Sequence, residues 1–569
     1  MGSLLSDVDS PWPTFRDERY SDTAHHVLVY SFTTMPRLSM HQSVAACGSR
    51  TASSLHRSRR IARYNRQQTF SSTTTTPTPA PPDVQVYDQQ YINGRWTPSD
   101  SSALLTVTNS NNGKHYASVI AGTSQDTANA IVAASAALPH WWQTLTLEDR
   151  KSYMSRFLDA FEKRSGEVTT ALQHELGAPY KFARNVQTAL LPLHVREYLK
   201  IVDEYSWQTV ENTTLIVREP IGVVGAITPW NWPLNQIAVK LAPALLAGCT
   251  VVLKPSEVTP INAYLIAQAI DEANLPPGVF NMVCGRGPDV GQVLATHPLV
   301  DMVSFTGSTA VGRHLHALGA QTIKRVRSEL GGKSAAIVLE DATEKQIRMV
   351  AMDVLQNTGQ SCNALSRLLV PTTRYAEVCD MVKEIYESVR LVDARDETSG
   401  RDDIGPLVSQ EQLEKVRRYI NIGIREDGAT LLAGGSDVVD VETVDPRGYF
   451  VRPTAFADVT NSMTIAREEI FGPVLSILPY ATVDEAVQIA NDTIYGLSNA
   501  VVGEDEDRAL DVAKRLQSGQ VMVNAPCGGL RAPFGGYKQS GDGREQGVHG
   551  LEDFLQMKAI NLPRKSTCR

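Results

Sequence analysis

From about Ile216 onward the chain alternates short apolar strands with helical patterns, and that alternation restricts it to a parallel α/β sheet. The run "IGVVGAIT" reads as a strand and "NQIAVKLAPALLAG" as a mostly apolar helix ended by Gly248. "TVVLK" is the next strand. "TPINAYLIAQAIDEANLP" is the next helix, with Thr259 as its N-cap and Pro260 at its first position. "VFNMV" and "DMVSF" are two further strands, each followed by a glycine turn and a helix. A second series starts near Ser334 with "SAAIVL" and runs through "RLLVP" to "QVMVN". The first sheet is of a nucleotide-binding type, whose ligands belong beyond the C-terminal ends of the strands.

A chain of 569 residues is too long for one hydrophobic core, so two or more domains are expected. A net charge of −8 and a pI near 5.9 argue against a nucleic-acid partner, which would require a basic face. The seven cysteines, Cys47, Cys249, Cys284, Cys362, Cys379, Cys527 and Cys568, are scattered. None forms a CxxC pair and no His/Cys cluster has zinc spacing, so reduced thiols are expected, with neither a disulfide framework nor a metal. The longest apolar run, Leu241 to Leu253, is broken by Pro243, Gly248 and Thr250. It falls short of the roughly 20 residues that span a bilayer, so no membrane partner is expected.

The first eighty residues differ in kind. Between Met35 and Pro82 there is no Asp or Glu, while Arg37, Arg50, Arg57, Arg59, Arg60, Arg63 and Arg66 lie among serines and threonines. That composition suits a mitochondrial transit peptide, and a basic tail with no address, on a cytoplasmic protein, is the alternative. Residues 1–34 carry Asp7, Asp9, Asp17, Glu18 and Asp22, which suit no transit peptide, so Met35 or Met40 is the expected start.

Chemistry-bearing residues gather in short motifs. "QNTGQSCNALSR" sets Cys362 in a polar run between Ser361 and Asn363, where a structural thiol would have apolar neighbours. In "FTGSTAVG", Gly307 permits close backbone approach, and Ser308 stands where the free N–H groups of a helix start suit a pyrophosphate. "GRGPDVG", with Gly287 at its centre, is a second and weaker glycine turn. "PWNWP" holds Trp230 and Asn231 between two prolines, and "LKPSE" puts Lys254 and Glu257 at a strand end. "SELGGK" places Glu329 and Leu330 beside two glycines. "EEIFGP" places Glu469 and Phe471 at an aromatic turn, and "PFGGYKQSGDGREQG" is a glycine-rich loop. Singly, each motif also reads as a packing turn or a solvated charge.

Taken together, and in this order, "PWNWP", "LKPSE", "FTGST", "ELGGKSA", "NTGQSCNA", "EEIFGPV", "YGLSNAVV" and "APFGGYKQSG" resemble the signatures of the aldehyde dehydrogenase superfamily, over about Val86 to Ile560. The resemblance implies an α/β fold with a Rossmann-like cofactor domain, a second α/β catalytic domain and a small β oligomerisation element. It divides the chain into a leading segment 1–84, a cofactor domain in two parts (85–204 and 221–331), a hairpin 205–220, a catalytic domain 332–540 and a C-terminal segment 541–569.

The resemblance also implies roles. Cys362 matches the nucleophile that attacks an aldehyde carbonyl, and Asn231 the donor that holds the resulting oxyanion. Glu329 matches the base that activates water to clear the thioester, which implies a free carboxylic acid as product. Lys254 and Glu257 match residues on the adenosine ribose. Trp230, Gly287, Gly307, Ser308 and Leu330 lie along the cofactor, and Glu469 and Phe471 at the nicotinamide ribose and ring. A carboxylate at Glu257 repels a 2′-phosphate, which favours NAD while leaving NADP possible. The stretch Ser206 to Pro220 looks like the family's oligomerisation hairpin, and "LEDFLQMKAINLP" like a strand that pairs with the next subunit, so a homodimer or homotetramer is expected.

The family often carries several adjacent cysteines at the nucleophile, and this chain has Ser361 and Asn363 instead. A cysteine hydrolase would need an activating histidine, and no motif holds one. An acyl-CoA reductase would not need Glu329, and a non-enzymatic descendant would not keep Cys362, Asn231 and Glu329 together.

Overall fold

The alternation of strands and helices builds two seven-stranded sheets and two three-stranded ones. In this computed structural model the described residues are 84–400, 402–439, 441–525 and 528–563, all within the unit Pro79–Arg569. The basic stretch 35–82 and the candidate starts Met35 and Met40 lie outside them.

The first large sheet runs, in spatial order, Arg325–Glu329, Met302–Thr306, Val223–Ile227, Thr250–Lys254, Phe280–Met282, Gln89–Ile92, Arg95–Pro98. Its first five strands are parallel. The last two form an antiparallel hairpin that extends the edge, an addition the βα pattern from Ile216 onward gave no sign of. Helix Pro233–Ala247 is buried along almost its whole length. It ends at Gly248, whose φ of 100° is left-handed and whose missing side chain leaves room for the Trp142 ring. Helix Ile261–Glu272 corrects one local expectation: Thr259 does not cap it. The buried carboxylate of Glu175 accepts from the N–H groups of Ile261 (2.9 Å) and Asn262 (3.2 Å) instead. Thr259 turns its hydroxyl to the carbonyl of Trp230 (3.2 Å).

The second large sheet runs Thr430–Ala433, Thr454–Ala457, Val474–Tyr480, Arg367–Pro371, Ala335–Val338, Ser498–Val502, Gln520–Val523, and only its first pair is antiparallel. The fully buried Arg367 ties its middle together, donating to the carbonyls of Lys333 (2.9 Å), Ile489 (3.0 Å) and Ala490 (2.9 Å).

Register decides where functional residues appear. Ile227 pairs with Lys254, Phe305 with Ile227, and Thr306 with Glu329. The loops carrying Asn231, Glu257, Ser308 and Gly332 therefore leave one edge of the first sheet together, at its C-terminal side. Cys362 and Glu469 each stand five residues before a parallel strand of the second sheet, Arg367–Pro371 and Val474–Tyr480. The C-terminal edge of one sheet thus meets the N-terminal loops of the other.

A three-stranded sheet joins hairpin Gln208–Glu211/Thr214–Pro220 to Leu555–Asn561. Leu555–Asn561 pairs antiparallel along one edge with Thr214–Pro220 of the same chain and forms an outer strand of this sheet.

Candidate active site

The motif around Cys362 is a strained turn. Helix Glu344–Asp353 starts with a capping box between Thr343 and Gln346. After it, Asn357 (φ 52°), Thr358 (φ 56°) and Gly359 (φ 74°) are left-handed in succession. A β-branched threonine is rarely found there, and such strain persists only where surroundings impose it. Here they do. The Asn357 amide donates to the carbonyls of Asn231 (2.9 Å) and Gln360 (3.1 Å), and the Thr358 hydroxyl to Gly405 (3.1 Å). Gln360 accepts from the Val408 N–H (2.9 Å). Any side chain at Gly359 would collide with the backbone of Gly472. The letters N, T, G and Q each have a task in aiming the cysteine.

Cys362 is half-buried rather than exposed, and its own N–H lies beside the thiol. Burial, then the carboxylates of Glu469, Glu329 and Glu545, push that thiol up. Cys249, Cys284 and Cys379 are buried within the hydrophobic cores. Asn231, 5% exposed, donates one amide proton to the Gln360 carbonyl (2.9 Å), two residues from Cys362. An amide carries two such protons, so this bond engages one of them. Its backbone carbonyl is held by Gln187 (3.0 Å) as well as Asn357.

Glu329 is 3% exposed, more buried than partial burial of a base would give, and neither carboxylate oxygen has a hydrogen-bond partner. Burial and the Glu545 carboxylate push its carboxyl well above the usual range, against the pull of Lys240 and Arg544. It lines a small cavity of about 10 Å³ with Lys240, Arg544 and Glu545. Lys240 and Glu545 form a buried ion pair there, and Lys240 also donates to Thr306 (2.8 Å). This pair lies outside the short motifs. Its signal was the one charged residue inside a mostly apolar helix, where a charge requires a buried partner.

On the other side of Cys362, Glu469 accepts from the Gly332 N–H (3.0 Å), and burial pushes its carboxyl up. Phe471 takes a left-handed φ of 64° and meets Trp230 edge to face at 5.3 Å. Gln412, also outside the motifs, fixes that turn through the Phe471 carbonyl (2.7 Å). Lys333 is fully buried without a hydrogen-bond partner, and burial lowers its ammonium to about 7.

The remaining predicted residues line the loops beyond the first sheet. Lys254 pairs with the half-buried Glu257 (3.0 Å). Ser308 caps helix Thr309–Gly319 by accepting from the Val311 N–H (3.3 Å), which leaves backbone N–H groups of the first turn for an anion. A side chain at Gly307 would strike the Phe305 ring, whereas one at Gly287 would meet nothing. Leu330 packs on Gly312 while its N–H bonds the Ser540 carbonyl (2.8 Å). A glycine turn, a free helix start and an ion pair at adjacent strand ends form a donor set that fits a dinucleotide.

The sequence profile of the aldehyde dehydrogenase family matches residues 96–560. A Pseudomonas protein, 3-succinoylsemialdehyde-pyridine dehydrogenase, is 45% identical over 83% of this chain and 98% of its own length. A mutant of aldehyde dehydrogenase C from Pseudomonas syringae, solved with NAD+ and octanal, superposes with a TM-score of 0.80 at 43% identity, over 85% of this chain and 98% of its own. The Mycobacterium tuberculosis aldehyde dehydrogenase, solved with NAD+, gives 0.81 at 37%, over 85% and 100%. These relatives correct the mitochondrial expectation: they are enzymes of bacteria, cells without that compartment, and the match begins past the basic segment on which the expectation rested. Among the described residues no helix is long and apolar enough to cross a membrane. With the profile covering most of its length, the chain belongs to the aldehyde dehydrogenase family.

Proposed function

We propose that the chain oxidises an aldehyde to its carboxylic acid with NAD, using Cys362 as nucleophile, Asn231 as oxyanion donor and Glu329 as base. The observation that carries this reading is a half-buried thiol two residues from the carbonyl that clamps the Asn231 amide, and within electrostatic reach of the unpartnered Glu329 carboxylate. The Cys362 sulfur, once deprotonated, attacks the aldehyde carbon. The free amide proton of Asn231 and the Cys362 N–H hold the oxygen of the thiohemiacetal, and losing one such donor costs about 3–4 kcal/mol.

Lys254, Glu257, Ser308, Glu469 and Phe471 would hold the dinucleotide, which when bound supplies the hydride acceptor that no side chain can provide. Glu257 disfavours a 2′-phosphate, hence NAD rather than NADP. The thioester left on Cys362 is cleared by water that Glu329 deprotonates. A carboxylate raised by burial is a stronger base than a solvated one, and freedom from hydrogen bonds lets it turn from its cavity towards the sulfur. The Lys240–Glu545 pair in the same cavity offers an acceptor for the proton.

In this reading residues 85–204 and 221–331 hold the cofactor and 332–540 carry the nucleophile. The sheet built from 205–220 and the C-terminal strand is an association surface. It exposes Met557 (76%) and Val210 (62%), with Ile560 and Leu562 beside them, which supports a homodimer or homotetramer. Purified protein assayed for NADH formation over a panel of aldehydes tests the activity. No NADH with any aldehyde overturns it. Light scattering tests the assembly, and a stable monomer overturns that part.

A further inference from the structure

Asp353 and Leu365 are twelve residues apart, and Cys362 stands near the end of that interval. Asp353 is half-buried and ends helix Glu344–Asp353. Leu365, 2% exposed, comes two residues before strand Arg367–Pro371. Oδ2 of Asp353 accepts from the Leu365 N–H at 2.9 Å. One side chain therefore closes the whole nucleophile loop, from the helix that enters it to the chain that leaves it. The helix end is itself braced, because the Tyr386 hydroxyl of helix Tyr375–Ser388 donates to the Ala351 carbonyl (3.0 Å).

The loop needs such a closure. Asn357, Thr358 and Gly359 within it are left-handed in succession, which is unfavourable for the two that carry side chains. The bonds of Asn357 and Thr358 hold the first half of the loop. The second half turns on itself: the Ala364 N–H donates to the Ser361 carbonyl (3.2 Å) and the Ser366 N–H to the Ala364 carbonyl (2.8 Å). The Cys362 carbonyl lies in the space that a side chain at Gly332 would fill. The Leu365–Asp353 bond ties this half back to the helix. Burial raises the Asp353 carboxyl to about 6, and a carboxyl oxygen accepts from an N–H whether the group is charged or neutral. The carboxylates that raise the Cys362 thiol are those of Glu469, Glu329 and Glu545, so the part played by Asp353 lies in its bond.

We infer that Asp353 is a positioning residue that acts through Leu365: its carboxyl oxygen staples the strained loop shut and so fixes the direction from which Cys362 attacks the aldehyde. The inference rests on the activity proposed above. A nucleophile displaced by a fraction of its working distance loses rate steeply, although the groups that bind the cofactor are untouched.

The test measures the first-turnover rate of NADH formation, kcat and KM for NAD, with the panel aldehyde that wild type oxidises fastest. The variants are Asp353→Ala, Asp353→Leu and Asp353→Asn. Leu keeps the branched shape and leaves the Leu365 N–H without its acceptor, whereas Asn keeps an acceptor oxygen and removes the charge. The first-turnover rate should fall roughly 10- to 100-fold in the Ala and Leu variants, with KM for NAD within about twofold of wild type. Asp353→Asn should restore the rate to within about twofold and keep the wild-type pH profile of kcat. Unchanged rates in the Ala and Leu variants, an Asn variant as slow as Leu, or a rise of KM for NAD in step with the loss of rate overturns the inference while leaving the proposed activity standing. If Asp353→Ala does not fold, Leu against Asn decides. If neither Ala nor Leu folds, Asp353 serves stability alone and the inference fails. No NADH from wild type with any aldehyde on the panel overturns the activity, and this inference with it.

Discussion

Asn231 and Glu329, both assigned here to the proposed reaction, are held in opposite ways. Around Asn231, the side chain and carbonyl are fixed by Gln360, Gln187 and Asn357, and the turn that carries Cys362 is strained into place by the same bonds. Around Glu329, neither oxygen is held by anything, although the residue is more deeply buried. A donor that must meet an oxyanion at the moment of its formation gains from being fixed beforehand. A base that must receive a water only after the first half of the reaction gains from being able to move. The stability lost by burying an unpartnered carboxyl is the cost of that freedom.

The strongest way to break this comparison is to remove the group both sides serve. Cys362→Ala should lower NADH formation by roughly 10⁴-fold or more while cofactor binding, followed by quenching of intrinsic fluorescence, persists. Retained turnover would mean that the strained turn aims something other than the nucleophile. Asn231→Ala should lower kcat by about 10²- to 10³-fold with little change in aldehyde KM, as expected of a donor that acts in the transition state. A rise in KM alone would move Asn231 from the oxyanion to substrate binding.

The Glu329 side can be sharpened by pH. Its carboxyl is raised well above the usual range, so the base form grows as pH rises, and kcat should climb with pH at values above those at which a solvated carboxylate ionises. That acid limb should disappear in Glu329→Gln if hydrolysis limits turnover. Stability carries the same signature. A folded carboxyl that holds its proton longer than the unfolded one binds more protons in the folded state, so its stabilising contribution is full at low pH and is lost as pH rises towards the folded value. The thermal midpoint of Glu329→Gln should therefore gain on wild type as pH increases above about 4.5, and an equal midpoint at every pH would show Glu329 to be no more basic than a solvated carboxylate. The smallest effect belongs outside the comparison, at the half-buried Glu257: Glu257→Gln should improve kcat/KM for NADP relative to NAD by about two- to fivefold. No change would remove its role in cofactor choice.

Much of the fold was legible because strand and helix periods reach the sequence directly: every βα unit named from Ile216 onward is present. The antiparallel edge Gln89–Pro98 was legible only in its turn, Asn93-Gly94, whose two left-handed residues suit a tight hairpin; its pairing to the distant strand Phe280–Met282 has no local signal. The motif residues were legible because their backbone geometry demands particular letters, as the turn at Asn357, Thr358 and Gly359 does. Residues that act through long-range pairing were hidden. Gln187 and Gln412 are ordinary polar residues until the fold sets them against the Asn231 and Phe471 carbonyls. Thr259 looked like a cap because Thr-Pro often is one, and Glu175, eighty-six residues before Ile261, took that task.

The account depends on Glu329 serving the second half of the reaction and not the first. Glu329→Gln mixed with NAD and an aldehyde, followed by intact-mass and peptide analysis, tests this directly. The predicted result is a burst of NADH stoichiometric with enzyme and an acyl adduct that persists on Cys362. An unmodified Cys362, or steady turnover at the wild-type rate, would contradict it.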